Sequence, residues 1–119
     1  MRTFHIKGSS GDSTIHVGER LRNTIKWLPS GKGVIITDSN VRRLYEKEFP
    51  PLEVIEIGSG DTFKTLDTVE TLYESLTNLE ADRSTFILGI GGGIVCDVTG
   101  FVASTYLRGV RFGFVASTL

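Results

Sequence analysis

Hydrophobic positions fall along this chain in two alternating rhythms. Short, nearly continuous apolar runs occupy residues 33–37 (GVIIT), 52–57 (LEVIEI), 85–89 (TFILG) and 111–115 (RFGFV), each bounded by turn formers or charged residues. Runs of this length suit buried β-strands better than helices. Between them the period changes. In residues 64–79, Leu66, Val69, Leu72, Tyr73, Leu76 and Leu79 recur at three- and four-residue steps, which predicts a helix with one apolar stripe. Residues 40–49 predict a second helix, with Val41, Leu44, Tyr45 and Phe49 near one side and Pro50-Pro51 as its stop. A third helix is predicted over residues 94–106, directly after Gly91-Gly92-Gly93. Ahead of these lie two strand-like runs, residues 2–7 and 13–17, around the turn-rich GSSGD. A short helix is predicted over residues 19–28, ended by Pro29-Ser30-Gly31.

Strands that are apolar throughout and alternate with helices imply a parallel sheet covered on both faces. The expected fold class is therefore α/β: a Rossmann-like parallel sheet with helices on both faces. At 119 residues, the chain is long enough for one domain with its own core. Its last residues are a strand followed by Ala116-Ser117-Thr118-Leu119, without a polar tail, so an interrupted longer protein is expected.

Composition narrows the chemistry. A formal net charge of −1 offers no electrostatic reason for a nucleic-acid or anionic-membrane partner. One cysteine excludes an internal disulfide, and two histidines with one cysteine fall short of a typical zinc cluster. No signal-peptide pattern opens the chain and no apolar run is long enough to cross a bilayer, so a cytoplasmic location is expected.

The chemistry-bearing stretch is ILGIGGGIVCDVTGF, residues 87–101. A strand delivers the chain to a glycine run and a helix starts at once. Glycine lets a ligand approach the backbone, and free amides at a helix start favour phosphate. Close helix–strand packing is the alternative explanation. The usual dinucleotide fingerprint is not met: Gly89 and Gly91 stand for its first two glycines, but Ile94 occupies the third place. No acidic residue closes the next strand. One does close an earlier strand, in Thr37-Asp38-Ser39-Asn40.

That order resembles the N-terminal domain of the 3-dehydroquinate synthase family over essentially the whole chain. GGGIVCDVTGFVASTYLRG (residues 91–109) matches the family's glycine-rich segment, and TDSNV (37–41) its first nucleotide-binding turn. GDTFK (60–64) is similar to a turn that usually runs Gly-Glu-x-x-Lys, and Ser117-Thr118-Leu119 to the start of a Pro-Thr-Thr-Leu-Leu segment. Three residues depart from the pattern: Asp61 replaces glutamate, Cys96 a common glycine, and Ala116 a common proline.

The resemblance implies an NAD-binding domain over residues 1–119, with a helical metal-binding domain, holding zinc or cobalt, absent from the chain. It implies NAD contacts from Asp38, Asn40, Asp61, Lys64, Asp97, Ser117 and Thr118, and a pyrophosphate cradle at Gly92, Gly93 and Ile94. Asp38, Asn40 and Asp61 also suit helix capping, Lys64 a solvated surface and Asp97 a helix's first turn, each without any ligand. Arg108 is implied in binding the substrate phosphate, in a partner subunit's site; helix-end electrostatics is its simpler role. Cys96 is expected to pack as a small apolar residue, with a helix-start thiolate as the alternative. The implied activity of the full-length enzyme is conversion of a seven-carbon sugar phosphate, 3-deoxy-D-arabino-heptulosonate 7-phosphate, to 3-dehydroquinate and phosphate. The enzyme is expected to be a homodimer, and the isolated chain inactive. Related cyclases of the inosose or valiolone type, the iron-type alcohol and glycerol dehydrogenases, and a non-catalytic nucleotide-binding module are the rivals.

Overall fold

A computed structural model describes residues 1–117. The chain opens with β1 (Arg2–Lys7) and β2 (Asp12–Val17), an antiparallel hairpin in which Phe4 faces Ile15. This pair forms its own two-stranded sheet, apart from the parallel one. A 3-10 helix, Leu21–Trp27, follows. Here the sequence expectation of a helix over residues 19–28 is met only in the tighter geometry. No residue of this segment is fully buried and only Leu21 packs against a core, so little of a packed face is there to hold a full α-helix in place.

The main sheet contains β3 (Gly33–Asp38), β4 (Glu53–Ile57), β5 (Phe86–Gly91) and β6 (Phe112–Ala116). The strands are parallel, in the spatial order β4-β3-β5-β6. Between them run α1 (Ser39–Tyr45), α2 (Leu66–Asn78) and α3 (Gly93–Thr105). The chain steps from β3 outward to β4, then returns to the other side of β3 for β5 and β6. Right-handed crossovers then require α1 on one face, and α2 and α3 on the other. The two cores show this division. Val34, Ile36 and Ile87 pack with Val69, Leu72 and Leu76 of α2 and with Val95, Val98 and Val102 of α3. Ile35, Leu88 and Ile90 pack with Val41 of α1. In the central strands β3 and β5, alternate residues serve opposite faces, so neither face of these two can be polar, whereas the edge strands β4 and β6 are partly exposed.

Two predicted stripes are narrower than their sequence patterns. On α2, Val69, Leu72 and Leu76 are buried, but Leu66 is 75% exposed because it sits in the first turn, beyond the sheet. On α1, only Val41 is buried, and Leu44 and Tyr45 are exposed. The α-helix stops at Tyr45 and continues as a 3-10 turn, Glu46–Glu48, before the prolines. No described helix is long and apolar enough to cross a membrane.

Candidate functional site

The order β4-β3-β5-β6 reverses direction between β3 and β5. In such sheets the carboxyl ends of the two strands diverge at this switch point and leave a crevice for a ligand. Asp38 ends β3 and Gly91 ends β5, so the first two motifs of the sequence meet here. Inside the crevice floor, the buried Thr37 hydroxyl donates to the Ile90 carbonyl at 2.7 Å.

Asp38 caps α1: its Oδ1 accepts from the Val41 amide at 2.8 Å. The capping role expected of Asp38 is therefore real, and the site it caps is the rim of the crevice. Asn40 is exposed on the same rim, and its backbone N–H donates to the Ser59 hydroxyl at 3.3 Å. Ser59 also bonds Ser39, Oγ to Oγ, at 2.9 Å. The loop after β4 is thus tied to the start of α1. Neither Ser39 nor Ser59 stood out in the sequence, where Gly58-Ser59-Gly60 signals only a turn.

On the other side of the crevice, Gly92 caps α3 without a side-chain bond, and the first intrahelical bond runs from the Cys96 amide to the Gly92 carbonyl at 3.0 Å. The amides of Gly93, Ile94 and Val95 precede that bond and have no carbonyl one turn earlier. The glycines differ in role. A Cβ on Gly89 would meet Thr99 at 2.7 Å, and one on Gly91 would meet Val95 at 2.7 Å. These two glycines exist so that α3 can lie against β5. A Cβ on Gly93 would meet nothing within 4 Å, so this position opens on free space.

Asp97 lies one residue past the first turn of α3, which contains no acid. The helix-start role weighed as the ligand-free alternative is therefore not met; Asp97 instead forms an ion pair with Lys64, Nζ to Oδ2 at 2.8 Å. That hydrogen bond and the Asp97 charge hold the Lys64 ammonium above its ordinary range, with Asp61 adding a smaller attraction. Lys64 is delivered by a 3-10 turn, Asp61–Phe63, in which Asp61 is exposed. Beneath the pair, a cavity of about 240 Å³ is lined by Lys64, Leu66, Val69, Asp97, Val98 and Phe101. A similar cavity of about 250 Å³, between Ile25, Leu28, Pro29, Leu52 and Phe86, is at the opposite end of the strands, away from every candidate residue.

Ser117 follows β6 and its amide donates to the Gly91 carbonyl at 2.8 Å, which brings it beside the glycine turn. Thr118 lies outside the described residues. Arg108 is not brought to the crevice. It stands beyond the far end of α3, which at 13 residues separates it from the glycine turn by roughly 20 Å at 1.5 Å per residue. It follows Leu107 in a left-handed turn, with φ of 48° and 66°. Cys96 is partly buried; burial and the neighbouring Asp97 push its thiol up, so it packs as a neutral group. His5 and His16 bond Thr14 and Thr3 across the hairpin.

Residues 54–119 match the family model described as 3-dehydroquinate synthase N-terminal, which is more than half of the chain. The chain belongs to the 3-dehydroquinate synthase family. A 3-dehydroquinate synthase of Clostridium kluyveri is 37% identical over 87% of this chain and 30% of its own length. A 2-epi-valiolone synthase of Stigmatella aurantiaca is 35% identical over 87% of this chain and 27% of its own. Among solved structures, 2-deoxy-scyllo-inosose synthase, complexed with carbaglucose-6-phosphate, NAD+ and Co2+, superimposes with a TM-score of 0.81. It is 25% identical and covers 98% of this chain and 35% of its own. This member of the 3-dehydroquinate synthase family thus spans about a third of the length of the curated relatives it matches. The comparisons support the α/β fold expected from the hydrophobic pattern.

Proposed function

We propose that this chain is the NAD-binding part of a 3-dehydroquinate synthase, acting on 3-deoxy-D-arabino-heptulosonate 7-phosphate. The observation that carries the reading is the meeting of three separate sequence motifs at one switch point. Asp38 and Asn40 stand on one rim, Gly92, Gly93 and Ile94 on the other, and the Lys64–Asp97 pair beside them. The open space at Gly93 and the amides of the α3 start, which have no carbonyl one turn earlier, fit a pyrophosphate. Asp38 has one carboxylate oxygen committed to the cap, leaving Oδ2 to accept from ribose hydroxyls. Lys64, Asp97, Asp61 and Ser117 are assigned to the cofactor's remaining polar groups, and Thr118 on the resemblance alone. Asp97 does not suit the pyrophosphate, because like charges repel. NAD when bound would supply reversible oxidation of a ring hydroxyl, the step that acidifies the adjacent C–H before phosphate leaves.

Arg108 is assigned to the substrate phosphate. Its planar fork suits phosphate oxygens, and its distance from the crevice of its own chain points to the site of a second subunit. A homodimer is part of this reading. The divalent metal, zinc or cobalt, is assigned to ligands outside this chain. Among the described residues, no group of three or more His, Cys, Asp or Glu is placed to hold an ion. The chain alone is expected to release no phosphate from the heptulosonate phosphate.

Titration calorimetry with NAD+ tests the reading. Gly93→Val fills the space where the phosphates are placed without touching the fold, and should abolish binding while circular dichroism stays unchanged. Wild-type affinity in a folded Gly93→Val chain would remove the glycine turn from the site.

A further inference from the structure

Phe63 is used by neither core of the protein. It is 40% exposed, so the buried part of its ring packs locally rather than in either core. Its ring lies directly on Gly58. An ideal Cβ at residue 58 would fall within the van der Waals envelope of the ring tip, so any side chain there would push the ring off its seat. The ring therefore closes the loop of residues 58–63 on itself. Two backbone bonds complete the closure: the Phe63 amide to the Gly60 carbonyl at 3.1 Å, and the Lys64 amide to the Asp61 carbonyl at 3.0 Å. Gly60 supplies a φ of 107°, which a side chain would resist.

This loop joins the two rims of the crevice. At one end, Ser59 is bonded to Ser39 and to the Asn40 amide. At the other, Lys64 reaches Asp97 on α3. Two glycines in a six-residue loop leave it free to take many shapes. Within the loop, the seat of Phe63 on Gly58 is a side-chain contact that favours one of them.

We propose that Phe63 is a positioning residue: packed on Gly58, it sets the turn that carries Lys64 to Asp97, and so sets where that pair stands beside the crevice that faces the cofactor. The inference rests on the nucleotide-binding reading, and its test separates the two. A water-soluble carbodiimide joins an amine to a carboxylate only where they touch. Tandem mass spectrometry then identifies a Lys64–Asp97 isopeptide link. The variants are Phe63→Ala, Gly58→Ala and the double variant, each checked for folding by circular dichroism. Phe63→Ala removes a half-exposed loop side chain, so it retains the fold even if Gly58→Ala does not.

The expected result is a strong link in the unmodified chain and a roughly tenfold lower yield in Phe63→Ala, with NAD affinity lowered by about the same factor, as for contacting residues that act as a unit. The double variant should lose no more than either single one. An unchanged link in Phe63→Ala overturns the proposal, as do additive losses in the double variant. Loss of NAD affinity with the link intact overturns it too, since Phe63 would then touch the ligand itself. If the link falls as expected but the unmodified chain binds no NAD, the positioning role stands and the nucleotide-binding reading fails.

Discussion

The hydroxyl of Thr37 donates to the carbonyl of Ile90 at 2.7 Å, between residues that pair in register across β3 and β5. Both are buried, and together they pin the two strands at the point where the strand order reverses. Thr37→Val keeps the shape and deletes the donor. It should cost about 1–3 kcal/mol, the range for a buried acceptor that loses a partner. Urea unfolding should show a lower midpoint with an unchanged slope.

The glycines of residues 89–93 should separate into two classes. Gly89→Ala and Gly91→Ala drive a Cβ against Thr99 and Val95, so each should destabilise by roughly 1–3 kcal/mol, the cost of overpacking. Gly93→Ala meets no atom and should leave stability unchanged or slightly raised. Thermal unfolding of the three variants in parallel checks this.

Glu19 accepts from the Asn23 side chain at 3.0 Å, the Arg20 amide at 2.9 Å and Trp27 Nε1 at 3.1 Å. These bonds, that from Asn23 foremost, pull its carboxyl down to about 2 from an ordinary value of 4.5. A lowered carboxylate adds stability that is complete above its unfolded value and lost as pH falls through its folded one. The window is therefore about pH 4.5 to 2. Trp27 is the single tryptophan and reports it directly. Its fluorescence should titrate with a midpoint near 2 rather than 4.5, and Glu19→Gln should remove the transition.

Lys64 is held above its ordinary value of 10.5, chiefly by its bond to Asp97. A raised ammonium contributes fully below its unfolded value, and the contribution is lost as pH rises through the folded one. The contact should therefore be intact at neutral pH and break only above about pH 10.5. In Asp97→Asn, the Lys64 side-chain titration followed by NMR should move down toward 10.5. The melting temperature should scarcely change, because an exposed pair is screened by solvent.

Leu107 and Arg108 occupy successive left-handed positions, and the Gly109 amide closes the turn on the Tyr106 carbonyl at 2.8 Å. Non-glycine residues in this conformation are strained. Arg108→Gly should be more stable than Arg108→Ala by about 1 kcal/mol, since both lack the guanidinium and only alanine keeps the strain. In an assembled enzyme, Arg108→Ala should weaken sugar-phosphate binding by roughly 1.5–3 kcal/mol, the scale of a charged hydrogen bond. NAD affinity should stay unchanged. An equal loss of both affinities would tie Arg108 to the cofactor instead.

The alternation of apolar runs and helical stripes was enough for the parallel α/β class, because a strand buried on both faces must be apolar at every position. The Asp38 cap and the glycine turn were legible for a similar reason: each depends on residues adjacent in the chain. Helix ends and types were less so. The segment Leu21–Trp27 became a 3-10 helix, and Leu44 and Leu66 stayed exposed, because burial depends on what lies opposite.

The assembly of the site was decided in three dimensions. Lys64 and Asp97 are 33 residues apart, and only the crossing of α2 and α3 over one face brings them to 2.8 Å. Ser59 reaches Ser39 and Asn40 because β3 and β4 are neighbours, which no local pattern encodes. Gly89, Gly91 and Gly93 look alike along the chain, yet two are filled by α3 and one opens on the crevice. Arg108, 11 residues after Asp97, is carried by α3 to the opposite end of the sheet. Propensity and period act over a few residues, whereas a site is set by strand order and helix packing, which join residues that the chain keeps apart.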